Sequence, residues 1–115
     1  MNVEAKSADL AADSTWDPLG LGSLLRILSD PTRLRILDYL AVGDCCVCEI
    51  VQAIGIPQPL LSHHLRVLRD NGFVRDRRSG RWMYYSVIPE RLATISEFLA
   101  ALSTRTARPV RRACS

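Results

Sequence analysis

Residues 44–72 read DCCVCEIVQAIGIPQPLLSHHLRVLRDNG, and the punctuation of this stretch decides the fold. Val47, Ile50, Val51 and Ile54 recur at helical spacing, Asp44 stands where it can cap the helix start, and Gly55 ends it. The predicted short helix therefore carries Cys45, Cys46 and Cys48 at its front. Ile56-Pro57-Gln58-Pro59 is a turn leading into another helix, because Pro59 is tolerated only in a first turn. In the second helix, expected from Gln58 to Asp70, Leu61, Leu65 and Leu68 form an apolar stripe. Gln58, Ser62, His63 and Arg66 fall mostly on its other side, and Asn71-Gly72 closes it.

Toward the N-terminus, Leu21, Leu24, Leu25 and Leu28 mark a first helix, expected to end near Ser29. Asp30-Pro31 is a helix start: the carboxylate can accept from free backbone N–H groups, and proline loses nothing at a first-turn position. Leu34, Ile36, Leu37 and Leu40 then define a second helix, closed by Gly43. Beyond the deciding stretch, Phe73 to Arg77 and Arg81 to Val87 carry aromatic and β-branched residues, and Arg78-Ser79-Gly80 is the expected turn of a β-hairpin. Pro89 opens a last helix, where Leu92, Ile95, Leu99 and Leu102 alternate intervals of three and four. That narrow seam suits a dimer contact. The organisation expected is a loose arm over 1–17, with a possible helical turn near Leu10 to Ala12, one domain over 18–103, and a basic tail over 104–115.

The 115 residues and 48% hydrophobic content suffice for one real core. No run is long and apolar enough to span a bilayer, and the N-terminus has no apolar core of a secretory signal. A soluble, cytoplasmic protein without a membrane partner is expected, one whose cysteines stay reduced. A formal net charge of +3 permits nucleic-acid binding without demanding it, so the placement of arginines has to decide.

Two short helices joined by a glycine-containing turn and followed by a hairpin give a winged helix-turn-helix: mainly α with a β-hairpin, homodimeric, its second helix entering the major groove of double-stranded DNA. Gln58, Pro59, Ser62 and His63 lie at the front of that reader helix, with Arg66 one turn later. Arg75, Arg77, Arg78 and Arg81 cluster in and beside the hairpin turn, a wing suited to phosphates or the minor groove. His64 points away from His63 and reads as a packing residue. No cofactor is needed for such binding, and the pattern lacks the phosphate-cradling loop or strand-to-helix cysteine context of an enzyme.

Three separated stretches, Ser29-Asp30-Pro31-Thr32-Arg33-Leu34-Arg35-Ile36-Leu37, Gln58-Pro59-Leu60-Leu61-Ser62-His63-His64-Leu65 and Gly80-Arg81-Trp82-Met83-Tyr84-Tyr85, resemble the ArsR/SmtB family of metal-sensing repressors in the family's order and at its distances. The resemblance spans about residues 19 to 103 and implies a homodimer that represses its own operon and leaves the operator when inducer binds. Cys45-Cys46-Val47-Cys48 resembles the family's cysteine-rich segment ahead of the reader, which implies As(III) or Sb(III) as inducer, with Cd(II) or Pb(II) as alternatives. Arsenic-type members often carry a further cysteine three positions after the second, where this chain has Val51, so Cys45 is the nearest substitute. A zinc site of the family's type in the last helix is not expected, since residues 89–103 offer only Glu90 and Glu97.

Thiolates are soft donors and no carboxylate or imidazole cluster adjoins them, which favours a soft guest. On an intact helix, at about 100° per residue, Cys46 and Cys48 point roughly 200° apart while Cys45 and Cys48 share a face. Convergence of Cys45, Cys46 and Cys48 on one ion therefore requires the first turn to unwind or to lie outside the helix. Movement there would pass to the reader helix. Oxidation of the close thiols is the rival reading, a thiol-based reductase using the Cys45/Cys48 spacing a weaker one, and Cys114 reads as a spare thiol.

Overall fold

A computed structural model describes Asp17 and residues 20–105. Of the expected arm over 1–17 only Asp17 is described, and the tail beyond 105 with Cys114 lies outside the described residues. In chain order the elements are α1 (Leu21–Leu28), α2 (Pro31–Leu40), β1 (Cys45–Cys46), α3 (Val47–Ile54), α4 (Gln58–Asp70), β2 (Val74–Ser79), β3 (Trp82–Val87) and α5 (Pro89–Arg105). The strands form one antiparallel sheet in the order β1-β3-β2.

The helix starts follow from local chemistry. Asp30 caps α2 by accepting from the Thr32 and Arg33 backbone N–H groups at 2.8 and 3.3 Å, and Pro31 fills the first position, where no donor is missed. Gly55 closes α3 in the left-handed conformation, φ 77°, which glycine adopts without a Cβ clash. At the end of α4 the Phe73 N–H donates to the Leu68 carbonyl at 2.9 Å, which folds the fully buried Phe73 ring under the helix.

The core joins Leu21 and Leu24 of α1, Ile36, Leu37 and Leu40 of α2, Ile50 and Ile54 of α3, Leu61, Leu65 and Leu68 of α4, with Phe73, Val74 and Ile95. One reading of α2 needs correction. Leu34 is 49% exposed, and Arg33 takes the inward place, since Arg33, Leu37 and Leu40 fall on one helical face. The hairpin also differs in its turn. Arg78 pairs with Met83 and Ser79 with Trp82, so the loop is Gly80-Arg81 and not Arg78-Ser79-Gly80. A two-residue hairpin loop calls for positive φ to match strand twist, and Gly80 supplies it at 64°.

The largest departure lies at the cysteines. Asp44 does not cap α3, and Cys45 and Cys46 stand before the helix as a short strand, pairing with Tyr85 and Tyr84 of β3. The physical reason is that Cys46 is itself the cap residue. Its backbone is extended, φ −79° and ψ 158°, and its N–H donates to the Glu49 carboxylate at 2.9 Å. Glu49 thereby closes the helix start from within, as in a capping box. Finally, α5 continues to Arg105, past the expected end at residue 103.

Candidate functional site

The thiol segment splits into two faces because neighbouring strand residues point to opposite sides. Cys45 turns inward and belongs to the core, where its thiol donates to the Gly43 carbonyl at 3.4 Å. Burial, then the nearby Glu49 and Asp44 carboxylates, push this thiol above its ordinary range. That favours the neutral thiol over the reactive thiolate. Cys46, no more exposed than Cys45 at 7%, stands outside the core cluster on the other side of the strand and is joined to Cys48 as a disulfide, with Cα atoms 5.4 Å apart. Cys48 stands exposed on the first turn of α3.

The helical geometry that separates Cys46 from Cys48 does not apply, since Cys46 precedes the helix. Their two sulfurs meet without any unwinding of α3. Cys45 is not brought to them, and among the described residues no group of three or more His, Cys, Asp or Glu side chains is placed to hold a metal ion. Glu90 and Glu97 on α5 are exposed and form no such group either.

On α4 the apolar stripe is driven fully inward: Leu61, Leu65 and Leu68 have no accessible surface. Gln58, Pro59, His63 and Arg66 are exposed, and Ser62 is half-buried. Pro59, Ser62, His63 and Arg66 follow the three-and-four spacing that aligns side chains on one helix face. That face can meet base edges and phosphates together.

His64, next to this face, is buried and accepts from the Arg33 Nε–H at its Nδ1 atom, 3.1 Å away. Burial pushes its pKa below the ordinary 6.5; Arg33 and His63 act in the same direction and Asp30 against it. Arg33 also donates from Nη1 to the Ile27 carbonyl at 3.3 Å. Sequence reasoning missed Arg33. Its only signal was a cation lying in register with Leu37 and Leu40.

The wing arginines are not alike. Arg77 pairs with Asp44 at 3.4 Å and lies over the Tyr84 ring, 5.0 Å from its centre. It thus bridges the wing to the residue preceding the cysteines. Arg75, Arg78 and Arg81 are exposed, as is Arg66 on the reader helix, and none of these four takes part in an ion pair among the described residues. Arg69, at the end of α4, reaches Asp76 of β2 at 3.1 Å and so fastens the helix to the hairpin.

Along α5 the seam divides. Ile95 is core and Leu92 packs half-buried against it, whereas Leu99 and Leu102 are 49% and 41% exposed.

Residues 30–76 match the family described as "Bacterial regulatory protein, arsR family". The chain is 39% identical to the arsenical resistance operon repressor of Staphylococcus xylosus over 73% of its own length and 81% of that protein. It is 43% identical to the HTH-type transcriptional repressor SmtB of Mycobacterium tuberculosis, over 64% of its own length and 55% of that protein. Its fold is similar to the crystal structure of an ArsR family transcriptional regulator, with a TM-score of 0.71 and 25% identity, covering 81% of this chain and 96% of the other.

Proposed function

The chain belongs to the ArsR family of bacterial transcriptional repressors, and from that membership we propose that it binds operator DNA as a homodimer and leaves it when Cys46 and Cys48 capture a thiophilic ion. The observation that carries the reading is the meeting of the buried Cys46 sulfur with that of exposed Cys48 at the start of α3, the element that leads into the reader helix. Its named relatives point the same way, since one is an arsenical resistance repressor.

The exposed edge of α4, with Gln58, Pro59, Ser62, His63 and Arg66, is the part that enters the major groove. Arg78 and Arg81 at the hairpin tip, and Arg77 where it frees itself from Asp44, reach phosphates or the neighbouring minor groove. Leu92, Ile95, Leu99 and Leu102 are the proposed dimer seam, of which Leu99 and Leu102 are the apolar side chains left at the surface. Pairing of two such subunits sets two reader helices against two half-sites.

Once the disulfide is reduced, two adjacent sulfurs, one on buried Cys46 and one on exposed Cys48, fit a soft ion and give a harder one little. As(III) or Sb(III) is the first choice, Cd(II) or Pb(II) the alternative. When bound, such an ion supplies strong sulfur bonds whose energy shifts the repressor only so far as the state that releases DNA holds it more tightly. In this chain the sulfurs that hold it are those of Cys46 and Cys48. Cys45 joins them only if β1 lets go of Tyr84 and Tyr85, which would carry the binding event into the sheet.

A second reading shares the same observation. Two thiols this close can give up two electrons and two protons to a peroxide, forming the Cys46–Cys48 disulfide and two waters. Titrating reduced protein on labelled operator DNA with arsenite, antimonite, Cd(II), Pb(II) and hydrogen peroxide separates the readings. Arsenite or antimonite should release DNA at the lowest free concentration, and Cys46→Ser or Cys48→Ser should bind DNA normally yet resist release. Release retained in both variants would sink the assigned site, and release by peroxide alone would favour the redox switch.

A further inference from the structure

We propose that Arg33 and His64 are positioning residues for DNA reading: a latch, closed while His64 is neutral, that sets the reader helix against α1 and α2 and opens on protonation. The inference rests on the assignment of Gln58–Asp70 as the reader helix, and it concerns groups that touch neither DNA nor the thiols.

Three elements meet at one guanidinium. Arg33 sits in the first turn of α2, its Nη1 donates to the Ile27 carbonyl near the end of α1 at 3.3 Å, and its Nε donates to His64 Nδ1 on α4 at 3.1 Å. His64 is 7% exposed and stands between exposed His63 and fully buried Leu65. Its ring is thus the polar contact nearest the groove-facing residues that is anchored to another element. A shift of this junction tilts Ser62, His63 and Arg66 together, because they share the helix that carries it. Readout by hydrogen bonds to base edges depends on fractions of an ångström.

The direction of the switch follows from donor counting. Nδ1 accepts the Arg33 proton, so the neutral ring carries its own hydrogen on Nε2. A second proton can enter only at Nδ1. It would set two donors and two positive charges face to face at the present 3.1 Å. The groups facing the ring are Asp30 and Arg33, from the cap and first turn of α2, and His63 on its own helix. Arg33, His63 and burial keep the ring neutral, while Asp30, already engaged by two backbone N–H groups, opposes them. The latch is closed at neutral pH and opens under acid.

The test is operator affinity against pH in the wild-type parent and in His64→Asn; His63 is present in both, so the difference between the two profiles belongs to His64. His64→Asn places an amide oxygen close to where Nδ1 stands and does not titrate. Between about pH 7.5 and pH 5 the parent should lose about fivefold or more affinity beyond whatever the His64→Asn protein loses. Arg33→Lys keeps the charge but cannot span Ile27 and His64 at once, and it should weaken operator binding by about fivefold at neutral pH with helical circular dichroism unchanged. Identical acid profiles with and without His64 would overturn the latch. So would unchanged affinity in Arg33→Lys, a result that stands even if His64→Asn fails to fold. A parent protein that binds no operator at any pH would overturn the reader-helix assignment itself, a separate failure from a parent that binds with a profile indifferent to His64.

Discussion

The two halves of the helix-turn-helix unit are built to different depths. The reader helix α4 drives Leu61, Leu65 and Leu68 fully into the core, adds buried His64 held by Arg33, and is fastened at its far end by Arg69 to the hairpin. The thiol turn at the front of α3 is held by a two-residue strand, the small buried side chains of Cys45 and Cys46, the local Cys46–Cys48 disulfide, one capping carboxylate and an ion pair between half-exposed partners. Exposed ion pairs contribute little, at most about 1 kcal/mol. The contrast teaches a difference in depth: α4 is anchored by a run of large side chains with no accessible surface, and the thiol turn by fewer, smaller side chains and short local pairings.

Replacing side chains on either side puts this contrast at risk. Leu65→Ala on the deep side should lower unfolding free energy by about 3 kcal/mol, seen as an earlier midpoint in urea, because a fully buried leucine leaves a cavity. A loss under about 1 kcal/mol would mean that α4 is not the anchored half. Cys45→Ser should cost about 2 kcal/mol in the same measurement, since it sets a hydroxyl among apolar neighbours. Arg66→Ala or Arg81→Ala should leave stability alone but weaken operator binding by about 1 kcal/mol and reduce the slope of log affinity against log salt by about one. An unchanged slope would remove these arginines from the phosphate contacts. Smallest of all, Cys46→Ser should shift stability of the reduced protein by less than about 0.5 kcal/mol, because serine is a favoured helix cap and takes over the position of the thiol. Should Cys46→Ser cost as much as Cys45→Ser, the thiol turn would be as firmly built as the core.

Much of this was legible in the chain. The bounds of α4 follow from proline in the first turn, the leucine stripe and Asn71-Gly72 at the end, and the structure places the helix over Gln58–Asp70 as read. The opposite fates of His63 and His64 also follow from helical spacing alone. What escaped depended on partners remote in sequence. Cys45 and Cys46 carry no local strand signal, and only Tyr84 and Tyr85, across the hairpin, draw them out of the helix. The inward turn of Arg33 was hidden in the same way, since an arginine beside Leu34 looks like the surface residue until His64 arrives to accept its proton. The meeting of Cys46 with Cys48 was barred only on an intact helix, and of the two ways round it named from the sequence, unwinding or a position outside the helix, the structure takes the second, with Cys46 in the extended cap conformation.

The short pairing of Cys45 and Cys46 with Tyr85 and Tyr84 has a practical corollary for anyone grafting this cysteine turn onto another repressor. Residues 44–49 are not a portable cassette, because their shape is borrowed from a strand far along the chain. A transplant that leaves Tyr84, Tyr85 and Arg77 behind would carry the sulfurs without the template that separates disulfide-bonded Cys46 from its core neighbour Cys45.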